Sequence, residues 1–366
     1  MTTYVPPSPP RRTVRAAVVA VTGLVTLLAT ACSTVGDTGA GAGAGDDTSG
    51  TVTLVTHDSF SVDKRLLRDF EADSGLSVET VAPGDAGTVV NQLVLSQDSP
   101  LGDAVFGIDT SFASRALSSG IMQPYESPEE TEAAQRFDVD GSDRLTPVDY
   151  GDVCINIDRE WFAERDVPEP RTLEDLTEPE YEDLTVVSNP ATSSPGLSFL
   201  LATVDAFGED DWQDYWAALR DNGLKVAQGW SDAYFVDFSG SSGRGPRPIV
   251  LSYASSPPAE VRPGSDEAPT RALLDTCFRQ VEYAGVLDGA ANPEGAQLLV
   301  DFLLSTRVQE SIPTSMYVYP VDPRAELPDT WRRFAPLAED PYTVGAEAID
   351  DNREEWIQQW SEVVVG

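Results

Sequence analysis

SNPATSSPGLSFLLATVDAFG, residues 188–208, is the stretch on which the reading of this chain turns. The run LTVVS (184–188) is strand-like, a Pro/Ser/Thr segment turns, and an apolar-periodic helix leaves at Gly196. Thr192, Ser193 and Ser194 therefore fall where a helix leaves its first four N–H groups unpaired. Hydroxyls there either cap the helix or hold a phosphate or carboxylate against the positive end of its dipole. Taken alone, the stretch supports both.

The same alternation precedes it. TVTLVTHDSF (51–60) reads as a strand, residues 63–74 as a helix with Leu66, Leu67 and Phe70 on one face, and LSVETVAP (76–83) as a second strand. A helix over 85–97 and a strand GDAVFGID (102–109) follow. This spacing predicts an α/β fold with a parallel sheet covered by helices on both faces, whose ligands sit beyond the carboxyl ends of the strands. Those ends carry Asp58 and Ser59, Asp85, and Asp109, each next to a helix start, so each acid is either a cap or a site group.

After 188–208 come an amphipathic helix over 210–220 and two strands running into aromatic and hydroxyl clusters. The clusters are Trp230, Ser231 and Tyr234 after one strand, and Tyr253, Ser255 and Ser256 after the other. TPVDYGDVCINIDRE (146–160) and CFRQVEYAGVL (277–287) are long β-runs, and residues 293–305 form a helix. IPTSMYVYPV (312–321) reads as an extended aromatic turn, and residues 355–364 as a closing helix with Trp356 and Trp360. Trp230, Tyr234, Tyr253 and Tyr317 are each as compatible with a core as with a site. Together, next to small polar residues at strand ends, they suit a flat or cationic organic ligand.

With 61 acidic and 24 basic residues and a net charge of −37, the chain is no nucleic-acid binder, because that affinity rests on Lys and Arg. A single histidine, His57, leaves no histidine-rich metal site, and no cofactor is expected. No P-loop, GxSxG or Ser/His/Asp order is present, so no enzyme is expected.

Arg11, Arg12 and Arg15 precede an uncharged run over 16–31, shorter than the about 20 residues of a membrane span. The run closes on Ala29-Thr30-Ala31-Cys32, which resembles a bacterial lipobox, with Ala29 where Leu is usual. Residues 1–31 are then a lipoprotein signal peptide, Cys32 the lipidated N-terminus, and residues 32–50 a Gly/Ala/Asp tether. The alternative is one retained membrane helix. Outside the membrane, Cys154 and Cys277 meet an oxidising compartment as the two cysteines left to pair, and geometry decides whether they do.

From about residue 51 to 364 the chain resembles the solute-binding lipoproteins of thiamine ABC importers. The resemblance rests on THDSF (56–60), GDAVFGID, VDYGDVCIN (148–156), NPATSSPGLSFLL (189–201), GWSDAY (229–234), VLSYASSP (250–257) and IPTSMYVYPV. It implies a type II periplasmic-binding-protein fold of two α/β lobes, residues 51–150 plus 280–366 and residues 151–279, hinged on crossing strands. Cys154 and Cys277 would lie on neighbouring hinge strands, which favours a disulfide. It implies a monomer that binds thiamine or its phosphates outside the cell membrane and serves a permease and its ATPase. Thr192, Ser193, Ser194 and Gly196 would hold the hydroxyethyl or phosphate end. Trp230, Tyr234, Tyr253 and Tyr317 would pack on the rings, with Asp58 and Asp85 opposite the thiazolium charge. His57, Lys64 and Tyr317 depart from the family, which carries aromatic residues of other types at these three places. Two rivals remain: a binder of another cationic or phosphorylated solute, and an enzyme like type I thiaminases, with Cys154 as nucleophile and Asp149 or Asp152 as base.

Overall fold

The computed structural model describes residues 50–366, so the expected signal peptide, Cys32 and the expected tether up to residue 49 lie outside the described residues. Gly50, expected to end the tether, already pairs with Leu76 as the first residue of a strand.

The first section alternates as its periodicity predicts: β1 (Gly50–Thr56), α1 (Lys64–Ser74), β2 (Leu76–Val81), α2 (Ala86–Leu95), β3 (Ala104–Asp109) and α3 (Ala113–Ser118). Helices α1 and α2 each start at a capping acid. Asp63 accepts a hydrogen bond from Arg65 N ahead of α1, and Asp85 from Ala86 N ahead of α2. Strand β4 (Met122–Gln123) leads to the long β5 (Thr146–Asp158) and helix α4 (Arg159–Arg165). Then come β6 (Thr185–Ser188), α5 (Ser194–Phe207), α6 (Trp212–Asp221), β7 (Lys225–Ala227), the turn α7 (Trp230–Asp232), β8 (Ile249–Tyr253) and β9 (Thr270–Ala272). The chain closes with β10 (Phe278–Leu287), α8 (Pro293–Leu304), α9 (Thr306–Ser315), β11 (Tyr319–Pro320), α10 (Asp329–Phe334) and α11 (Ala346–Val364).

The strands run in the order β2-β1-β3-β10-β5-β8-β6-β7. Both ends are parallel, β2 and β3 on β1 at one and β7 and β8 on β6 at the other. The middle is antiparallel, with β10 between β3 and β5, and β5 against β8. The expected parallel sheet is thus half of the answer. The long runs 146–160 and 277–287 insert an antiparallel pair, and the two parallel blocks turn their carboxyl ends towards one cleft.

Two expectations need correction. Residues 312–315 are not extended but finish α9, which runs through Pro313. Val308 and Ile312 bury one face of that helix, and the Gln309 amide donates to the Val148 and Leu303 carbonyls, which holds it in place. Helix α11 starts nine residues earlier than residue 355, because Ile349 and Arg353 continue the buried stripe of Trp356 and Trp360.

Cys154 on β5 and Cys277, one residue before β10, form a disulfide across a separation of 123 residues. The thiaminase-like alternative loses its nucleophile there. Asp152 is also committed, to a two-toothed ion pair with Arg279 and to the Ala338 N–H. A loop of that length predicts a large entropic share of stability, about 4 to 5 kcal/mol as an upper figure. The double variant Cys154→Ala/Cys277→Ala should lose about 2 to 4 kcal/mol in urea unfolding. An unchanged midpoint and slope would show that the bond does not constrain the unfolded chain.

Candidate ligand-binding site

A cavity of about 250 Å³ opens where the carboxyl ends of the two parallel blocks meet. That is slightly below the range of about 300–1,000 Å³ usual for small-molecule sites. His57, Asp58 and Ser59 enter it from the end of β1, and Asp85 and Ala86 from the start of α2. Ser194 and Pro195 come from the start of α5, Trp230, Ser231 and Phe235 from the α7 region, and Tyr253 from the end of β8. Glu282 comes from the middle of β10, and residues 315–318 close the last side.

The aromatic wall is locked from behind. Trp230 donates its indole N–H to Ser252 Oγ at 2.9 Å, and Ser252 meets Ser256 Oγ at 2.8 Å. Tyr234 stacks on Trp230 with centroids 5.2 Å apart, and Tyr253 meets Trp230 edge-on at 6.2 Å. The backbone from Ala233 to Asp237 makes a π turn, a feature that recurs at functional sites because it re-aims side chains. Tyr317 holds φ at 60°, unusual for a bulky residue, with its carbonyl bound by Ser255 Oγ at 2.5 Å.

The floor is ionic. His57 Nε2 lies 3.4 Å from Glu282 Oε1, both buried, and Ser59 Oγ meets His57 Nδ1 at 2.8 Å. Burial opposes the charged imidazole, yet Glu282, with Asp85 and Asp58 behind it, holds the His57 pKa above its ordinary value. Burial likewise pushes Glu282 up, but His57 outweighs it, and Glu282 lies below the usual range. Across the β5–β10 ladder Glu282 faces Asp149, which is fully buried. Burial and then the Glu282 charge push the Asp149 pKa well above the ordinary carboxylate value, and neither Asp149 oxygen has a hydrogen-bond partner. Gly107 makes room for this floor: a Cβ there would stand 2.2 Å from His57 Cδ2, and its φ is 94°.

The expected site residues divide. Asp58, Ser59, Asp85, Ser194, Trp230, Ser231, Tyr253 and Tyr317 line one cavity. The others stand behind it. Asp109 is buried; its Oδ1 accepts the Ser111 and Phe112 N–H groups in the turn ahead of α3, whose cap residue is Phe112, and its Oδ2 has no partner. Thr192 spends its hydroxyl on the Gln228 carbonyl at 2.7 Å. Ser193 is the N-cap residue of α5 by backbone, yet neither its hydroxyl nor that of Ser194 caps the helix; both are buried without a partner. Gly196 lets α5 touch the end of β6, since a Cβ would meet the Ser188 carbonyl oxygen at 2.5 Å. Tyr234 donates to Glu260 Oε1 at 3.0 Å and supports Trp230. Glu282 was missed: within a strand-like run it looks like one polar position among many. Its only sequence signal is an acid inside an otherwise buried run.

A mixed sheet whose parallel blocks meet at a small-molecule cleft across an antiparallel pair defines a type II periplasmic binding protein. The chain belongs to the bacterial extracellular solute-binding protein family, whose sequence pattern matches residues 103–337. It is 28% identical to the thiamine-binding periplasmic protein of Escherichia coli (strain K12), over 86% of this chain and 93% of that protein. A solved periplasmic thiamin binding protein matches with a TM-score of 0.75 and 26% identity, over 87% of this chain and 98% of that one. The fold is shared with a periplasmic binding protein of Actinobacillus pleuropneumoniae solved with fructose-6-phosphate bound, with a TM-score of 0.73, 18% identity and coverage of 86% and 99%. Among the described residues no helix is long and apolar enough to cross a membrane, and no cluster of three His, Cys, Asp or Glu is arranged to hold a metal ion.

The floor makes a pH prediction. Because burial raises the Asp149 pKa in the fold above its unfolded value, the group withdraws stability as pH rises from the ordinary carboxylate range towards the folded pKa. Asp149→Asn removes that loss. Its melting temperature relative to the unsubstituted protein should therefore rise as pH climbs above the ordinary carboxylate range in thermal melts. A difference that is flat or falls over that window would mean Asp149 is ionised in the fold.

Proposed function

We propose that this chain is an extracytoplasmic lipoprotein that captures thiamine and delivers it to an ABC importer. One observation carries the ligand class: four aromatic rings, Trp230, Phe235, Tyr253 and Tyr317, and three carboxylates, Asp58, Asp85 and Glu282, line one small cavity that no Lys or Arg lines. A permanent organic cation needs such a lining, because aromatic faces attract it by about 0.5 to 2 kcal/mol each and carboxylates stabilise it without any proton transfer. The names of similar proteins point to the same compound.

In this reading residues 51–150 plus 280–366 and residues 151–279 act as two lobes, and β5 with β10 is the hinge. Ligand draws the population towards the closed form, which the permease and its ATPase recognise. Lipid on Cys32 and the 32–50 tether keep a monomer close to the permease while leaving it free to dock.

Calorimetric titration of the full-length protein with thiamine tests the ligand directly. Sub-micromolar binding without product formation is expected, and no heat at millimolar thiamine would overturn the assignment. Tyr253→Ala should weaken binding by about 1 to 3 kcal/mol, by analogy with bases stacked on aromatic side chains. Unchanged affinity with an unchanged circular dichroism spectrum would remove Tyr253 from the ring contacts.

A further inference from the structure

His57 puts one basic side chain into a cavity whose other charged lining groups are all acids. Its imidazole is buried, with Nε2 3.4 Å from Glu282 Oε1 and Nδ1 2.8 Å from Ser59 Oγ. Phe106 of β3 packs against the ring at 5.5 Å between centroids, and Gly107 leaves it just enough room. The ring is thus held in place on the cavity lining. Glu282 faces it from β10, Asp85 from the start of α2 and Asp58 from its own segment. Behind Glu282, in register on its two sides, stand Asp109 of β3 and Asp149 of β5. Tyr253 and Tyr317 are the remaining titratable groups of the lining. Burial opposes a charge on the imidazole, and the facing carboxylates, Glu282 first, outweigh it.

An imidazolium and a ligand cation in one cavity of about 250 Å³ compete for the same carboxylates and repel each other in a poorly solvated place. We propose that His57 is an exchangeable internal cation: a ligand cation entering the cavity displaces the proton that His57 holds against Glu282, so that capture is coupled to proton release. This rests on the thiamine reading above and goes beyond it. In the exchange the Nε2–H bond breaks, its electron pair stays on the ring nitrogen, and the proton passes to the buffer. The Nδ1–H remains to donate to Ser59 Oγ, and the ligand supplies the positive charge that the imidazolium gives up. By reciprocity, the factor by which the cation weakens proton binding is the factor by which the proton weakens the cation. Affinity therefore rises with pH across the His57 titration.

The test is calorimetry of the full-length protein with thiamine in phosphate and in Tris, whose ionisation enthalpies differ widely, from about pH 6 to about pH 9. The buffer dependence of the heat counts the protons released. The unsubstituted protein should release at least about a third of a proton at its maximum, and its affinity should fall by up to about tenfold per pH unit as pH drops across the titration. In His57→Gln, which keeps a polar side chain without the charge, the release should fall by more than half and the slope should flatten. His57→Asn should do the same and guards against one variant failing to fold. A proton that thiamine itself gains or loses is common to parent and variant and drops out of the difference. Asp149→Asn removes the buried acid behind Glu282 and should leave the release in place. No release by the unsubstituted protein at any pH in the range would overturn the proposal. So would a release unchanged in both His57 variants, or one lost in Asp149→Asn and kept in His57→Gln, which would assign the proton to the buried acids. Thiamine bound without proton exchange removes this proposal and leaves the ligand reading standing, whereas failure of thiamine to bind overturns both.

Discussion

The pairing of β5 with β10 is the constraint on which the rest of the structure depends. Every other strand of the sheet reaches the opposite block only through these two. Their antiparallel register sets Glu282 opposite Asp149, Arg279 opposite Asp152, and Phe278 opposite Val153, next to the disulfide. A slip of one residue would turn each of these side chains to the other face. The ion pair and the disulfide fix the register at one end, so a strained acidic contact can be tolerated further along.

That contact is where stability and function pull apart. Two acids and a histidine buried together cost more than an apolar floor of equal volume would. Two members are answered: His57 lies against Glu282, whose charge raises the imidazole pKa, and Ser59 fixes the imidazole. The Glu282 carboxylate at the floor therefore has a partner within the chain in His57. A ligand cation arriving from above adds to an existing ionic set and need not desolvate a naked carboxylate.

Much of this was legible in the sequence where the signal is local. The β1 to β3 section shows it in its alternation, α5 in its turn and apolar run, and the aromatic wall in the clusters after β7 and β8. Signals that depend on distant partners were not legible. His57 and Glu282 lie far apart in sequence, and nothing local says that they meet. Tyr234 and Tyr253 look alike as aromatics after strands, yet only Tyr253 lines the cavity, because Glu260 draws the Tyr234 hydroxyl away. Thr192 and Ser194 sit two residues apart in the same turn and part company for the same kind of reason: the Gln228 carbonyl takes one hydroxyl, and nothing takes the other. Helix α9 escaped notice because Pro313 reads as a breaker, whereas buried neighbours carried the helix through it.

The net charge of −37 acts on a different scale from the lining of the cavity. At physiological ionic strength a charge is screened beyond about 8 Å, so most surface acids reach a bound ligand weakly. They raise the encounter rate of a cation more than its affinity. Affinity must come from groups that are close and poorly solvated, and here these are Asp85 and Glu282 with the Trp230, Tyr253 and Tyr317 rings, while Asp58 and Phe235 stand more open to solvent. An acidic composition could therefore accompany many ligands. It is the placing of Asp85, bonded to N–H groups on both sides of the cleft, that ties the charge to one end of a particular cavity.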